Sequence, residues 1–275
     1  MDAPSPISSI VGRHAAVALF VGFWMLCGWA ADLNANAYLV LGVPLVVLFQ
    51  RFVAGRPLAA LWVAGADRVT LGRKAIAIAI LLALAPLASL VTQRPIATDW
   101  AITWWFACAI VGAAGAAFAL RKSRGAALKR ALPLAWGAAM VGCATIAWFA
   151  LQGGRSPLPQ LSGFLVLVLQ FFIYLPAMFV LEEVVFRGAL DAYITRDANT
   201  SEAGLISAIY ISIFWSLWHL PIAPQYQNAA GVATLLVVHV PIGILLSYTW
   251  RTSGTLLLPA VVHSLVDAYR NVILG

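Results

Sequence analysis

The chain is poor in charge, and above all in acid. Of its 275 residues only 10% are charged, and glutamate occurs three times, at Glu182, Glu183 and Glu202. Soluble domains carry about 25% charged residues, so a water-bathed globule is excluded. Disordered chains need more charge and less apolar residue than this, and are excluded too. Cysteine is equally scarce: Cys27, Cys108 and Cys143 lie inside apolar runs with no CxxC spacing, which removes a disulfide framework and a zinc cage and leaves them as packing residues. What is abundant is apolar side chain, 63% of the residues. The chain must bury that surface in lipid.

A transmembrane helix takes about 20 mostly apolar residues. Runs of that kind lie near 14–32, 35–53, 75–93, 100–120, 131–151, 162–187, 204–222, 231–250 and 254–274. None shows the alternation of barrel strands. The expected fold is therefore all-α, a polytopic integral membrane helical bundle of about 8–9 transmembrane helices. The apolar stretch 57–66 is too short to span and is expected in the interface.

Basic residues outnumber acidic ones 17 to 10, yet they cluster between the apolar runs, which is a topology signal rather than a nucleic-acid footprint. Arg51, Arg56, Arg68, Arg73 and Lys74 form one cluster, and Arg121, Lys122, Arg124, Lys129 and Arg130 another. Positive loops stay inside, so residues 1–13 are expected as a cytoplasmic tail. Arginine-rich, alanine-rich composition fits a GC-rich bacterial genome, and with it the plasma (inner) membrane.

The polar residues divide the chain. Residues 14–151 hold no acidic residue well inside a run and read as transmembrane scaffold helices. Residues 157–275, beyond Gly153, Gly154, Pro157 and Pro159, hold an acidic pair, three histidines and an aspartate at apolar positions. A charge at the centre of a membrane helix costs at least about 2.5–3.5 kcal/mol, which makes these residues functional candidates. Glu183 and Arg187 are one helical turn apart and within ion-pair reach, whereas Glu182 is turned about 100° away and has no partner on its own helix. The bland alternative is that the three mark the cytoplasmic end of a span. Trp215 and His219 share a face, as do His263 and Asp267. His239 has no charged neighbour in sequence and reads as packing.

An unpartnered carboxylate held out of water is a competent general base. One histidine beside it would position water, and a second would donate to an oxyanion. Together these are the requirements of amide hydrolysis. No HExxH, GxSG or GxGD motif is present, so a zincin helix, a serine rhomboid and an aspartyl presenilin type are excluded.

The order EEVVFR (Glu182 to Arg187), WSLWH (Trp215 to His219) and HSLVD (His263 to Asp267) resembles the CAAX protease and bacteriocin-processing family (CPBP, also called Abi) of glutamic intramembrane endopeptidases. The resemblance covers roughly residues 160–272 and implies a CPBP-like catalytic core over 157–275. By that resemblance Glu182 activates water with His219, His263 and Asp267 form the oxyanion side, and Glu183, Arg187 and Trp215 support them. It implies a peptide or protein substrate at the membrane, lipidated in some members, and no nucleic acid. Members were long described as metalloproteases, so a divalent ion such as zinc is the alternative to a cofactor-free site. This chain departs from the pattern twice. Trp215 stands where Phe is usual, and Asp267 where Asn is more frequent. An ionised aspartate cannot donate to an oxyanion, so Asp267 is either protonated or orients His263.

Straight helices would leave Glu182 and His219 far apart in depth. Their meeting requires a tilted sixth span or an irregular region near Pro176 or Pro221. Two other functions fit the same residues: a proton-coupled or substrate transporter, and a non-catalytic membrane partner or immunity protein that keeps the fold.

Overall fold

The computed structural model describes residues 10–92, 99–196 and 204–275. Residues 1–9 of the expected tail, and Glu202, lie outside the described residues. The elements are α1 (Ile10–Ala30), α2 (Ala35–Leu48) with a π-helical end (Phe49–Val53), a 3-10 turn (Leu58–Leu61), α3 (Arg73–Thr92), α4 (Trp100–Lys122), α5 (Gly125–Gln152) and α6 (Leu161–Met178). A π-helix (Val184–Asp191), the single turn α7 (Ala192–Ile194), α8 (Gly204–Leu217), two 3-10 turns (Leu220–Ile222 and Pro224–Tyr226), α9 (Ala229–Ser253) and α10 (Leu257–Leu274) follow. Nine helices among the described residues are long and apolar enough to cross a membrane. The protein is an all-α polytopic membrane bundle.

Local chemistry sets several ends. Asn34, Asp99 and Asn228 accept backbone N–H bonds at the starts of α2, α4 and α9, supplying partners to groups that have none inside the helix. Gly254 ends α9 in the left-handed conformation at φ 69°, which a side chain disfavours. The bundle's outer face is apolar, with Leu19, Leu81, Trp136, Phe164 and Val237 exposed, as a lipid-facing surface must be.

Eight of the nine expected runs fall on helices of similar extent, but the sixth does not continue to 187. Pro176 lies in the last turn of α6, and the chain tightens there: Phe179 N–H bonds Pro176 O and Val180 N–H bonds Ala177 O. Residues 179–182 then leave the helix before Glu183 leads into the π-helix. Backbone freed inside a membrane must find new partners. Trp62 supplies one, donating its indole N–H to Phe179 O at 2.6 Å. Gly112 on α4 lets the Pro176 carbonyl approach, since a Cβ there would lie 1.9 Å from that oxygen. All residues from 177 to 191 are buried.

The stretch 57–66 also packs on the rest of the protein. Ala59, Ala60, Leu61 and Val63 are buried, and Leu61 O lies against the π-helix at Gly188, where a Cβ would approach to 2.1 Å. Backbone bonds Ala64 N–H to Gly254 O and Leu256 N–H to Trp62 O tie it to the α9–α10 connection. Its apolar residues had a protein surface to cover, which hydropathy alone does not reveal.

Candidate active site

Breaking the sixth run resolves the depth problem. Glu182 and Glu183 sit at the break, ahead of the π-helix rather than at its far end. α8 stops at Leu217, and His219 follows in the turn before Leu220–Ile222. The two irregular ends meet in the interior, where α10 brings His263 and Asp267. Glu182, Glu183, His263 and Asp267 are all buried, at 7%, 0%, 6% and 7% exposure.

Glu182 Oε2 is the centre of the arrangement. It accepts the Trp215 indole N–H at 3.1 Å and lies 3.9 Å from His219 Nε2 and 3.7 Å from His263 Nε2. The histidine distances are too long for direct hydrogen bonds. A separation of 3.9 Å suits one water oxygen bonded to both groups. His219 Nδ1 is 2.8 Å from Trp215 O, and a carbonyl only accepts, so Nδ1 carries the hydrogen and Nε2 is left with a lone pair toward Glu182.

Glu183 has a different company. Its Oε1 is 2.7 Å from His263 Nδ1 and 3.4 Å from Arg187 Nη1, as the one-turn spacing foretold. Arg187 is fully buried, donates to Gly243 O at 3.2 Å and lies over the Trp215 ring at 4.6 Å. Such a cation over an indole face is itself favourable. Arg187, Glu183 and Trp215 thus clamp the three elements that carry Glu182, His219 and His263. Asp267 Oδ2 is 3.7 Å from His263 Nε2, and its Oδ1 is 3.0 Å from Arg270 Nη1.

These groups line a cavity of about 380 Å³ whose other walls come from α5 and α9. An open apolar groove on the outer face of α5 and α9, with Trp148 and Val237, shares Thr145, Phe149, Thr234 and Val238 with the cavity. The site therefore adjoins the lipid-facing surface. Glu182, His263 and Asp267 can each bring a ligand atom within 4.8 Å of the others, a donor set that a divalent ion such as zinc accepts.

Residues 164–269 match the family model described as Rce1-like, type II CAAX prenyl endopeptidase. This stretch is similar to the Rce1-like peptidases. No match was found among curated proteins or among solved structures. The matched stretch begins within α6, ends within α10 and contains Glu182, His219, His263 and Asp267. The family model describes a peptidase family, and the long helices that the matched stretch includes are apolar enough to cross a membrane.

Two residues of this candidate site were not assigned a role from sequence. His239 lines the cavity, its ring 4.6 Å from that of His219 and 5.2 Å from Trp215. Its partners come from another helix, so no local spacing marked it. Arg270 did carry a signal, its position three residues after Asp267 on α10.

Proposed function

We propose that this protein is an intramembrane endopeptidase in which Glu182 activates water for attack on a peptide bond at or in the membrane. The observation that carries the reading is the convergence of Glu182 Oε2 with the Nε2 atoms of His219 and His263 at 3.9 and 3.7 Å on the wall of one cavity. A water held between Glu182 and His219 gives its proton to Glu182 as its oxygen attacks the carbonyl carbon. His263, in its protonated form, donates Nε2–H to the oxyanion. Glu182 then passes the proton to the leaving amine as the C–N bond breaks. Asp267, paired with Arg270, accepts rather than donates, so it supplies no hydrogen to the oxyanion. Glu183 and Arg187 fix the other side of the His263 imidazole.

We read the site as working without a cofactor. Glu182 Oε2 already accepts from Trp215 and Asp267 Oδ1 faces Arg270, and that guanidinium opposes a second positive charge nearby. The substrate is a peptide or protein that reaches the cavity from the membrane, by way of the groove between α5 and α9. The bacterial inner membrane, with the N-terminus in the cytoplasm, is the setting that the charge pattern supports.

The test is cleavage of a fluorogenic peptide library by detergent-purified protein, wild type against Glu182→Gln, with and without chelator. Cleavage lost in the variant and indifferent to chelator is the expected result. Cleavage abolished by chelator would assign Glu182, His263 and Asp267 to a metal site. No Glu182-dependent cleavage would overturn the reading in favour of transport or a non-catalytic partner.

A further inference from the structure

His263 is surrounded by three carboxylates. Glu183 is bonded to Nδ1, while Glu182 and Asp267 both stand 3.7 Å from Nε2. The family pattern more often has an uncharged Asn where this chain has Asp267, so one negative charge has been added to the cavity wall. Left alone, that charge would repel Glu182 and draw the Nε2–H of His263 away from the substrate. One residue beyond the Rce1-like match, Arg270 meets it with Nη1 3.0 Å from Asp267 Oδ1.

Arg270 is held in place although half its side chain is exposed. Its Nε and Nη2 both lie 3.2 Å from Asn271 Oδ1, and Asn271 Nδ2 donates to the Tyr174 hydroxyl at 2.9 Å. Three guanidinium nitrogens are therefore engaged, and the chain of bonds anchors α10 to α6. We propose that Arg270 is a positioning residue: by engaging Oδ1 of Asp267 it keeps Oδ2 short of bonding His263, so that Nε2 stays poised between Glu182 and substrate. The inference rests on the proposed role of His263 and adds to it the residue that makes aspartate workable at position 267. An ion pair this exposed adds little to folding stability, so its purpose lies in the geometry of the cavity.

The experiment is a double-mutant cycle of Arg270→Met and Asp267→Asn, read by peptide cleavage and by 15N spectra of histidine-labelled protein in detergent. The signals lost in His263→Gln identify that residue. Arg270→Met is expected to lower kcat about tenfold or more with a smaller change in KM, and to move the His263 signals. The double variant is expected to recover kcat to within about threefold of Asp267→Asn alone and to return the signals. A kcat defect that the second substitution does not relieve, or unmoved His263 signals, overturns the proposal. If the wild type shows no Glu182-dependent cleavage, the peptidase reading fails separately, and the His263 signals alone decide whether Arg270 acts through Asp267.

Discussion

The indole N–H of Trp215 donates to Oε2 of Glu182 at 3.1 Å, and the same Trp215 offers its backbone oxygen to His219. One residue thus orients both groups that flank the proposed water. A phenylalanine, which the family resemblance leads one to expect here, has a ring but no donor. The departure is therefore more than an exchange of one aromatic wall for another. Trp215→Phe removes one hydrogen bond to a charged acceptor, worth about 1.5–3 kcal/mol. Steady-state cleavage should show kcat reduced about 10–100-fold, with KM little changed and the unfolding temperature lowered as well.

His239 packs its ring on His219, and its Nδ1 bonds Leu235 O at 3.0 Å. Removing that ring leaves His219 without a wall on one side. Against the expectation from sequence that this residue only packs at little cost, His239→Ala should reduce kcat about tenfold. His239→Phe should recover most of it if stacking is what matters. Equal loss in both variants would instead point to the imidazole nitrogen.

Glu183 and Arg187 form an ion pair with both side chains at 0% exposure. Removing one partner leaves a buried charge, at a cost of about 3–5 kcal/mol. Either Glu183→Ala or Arg187→Ala should lower the unfolding temperature in detergent and the yield from membranes. Glu183→Ala should also silence cleavage in whatever protein does fold, because His263 loses its Nδ1 acceptor.

Asp191 is buried and receives two donors from Arg251, at 2.9 and 2.5 Å, while Arg251 also donates to Gly204 O. The pair ties the π-helix to the start of α8 and the end of α9, away from the proposed chemistry. Arg251→Ala should destabilise by a few kcal/mol, about 3–5, and the protein that remains folded should keep the wild-type KM. A changed KM with intact stability would show that the pair belongs to the substrate path.

The bundle and most of the site were legible in the sequence because their signals are local. Hydropathy runs mark spans whatever they pack against. The one-turn spacings of Glu183 with Arg187, Trp215 with His219 and His263 with Asp267 place partners together before any tertiary structure is known. The break after Met178 was foreshadowed by Pro176, but its position depends on Trp62 and Gly112, which arrive from elsewhere in the chain. His239 and the Asp191–Arg251 pair escaped for the same reason. Their meaning lies in neighbours 20 or more residues distant, a separation the sequence itself records.

The segment around Trp62 has a consequence of its own. Its indole caps Phe179, three residues before Glu182, and Leu61 seats Gly188 just after it. A connection that carries none of the family's signature residues therefore braces both flanks of the carboxylate. Natural variation in that connection should be filtered as strictly as variation in the motifs, and a loss of activity mapped there would report a shifted carboxylate rather than a damaged loop.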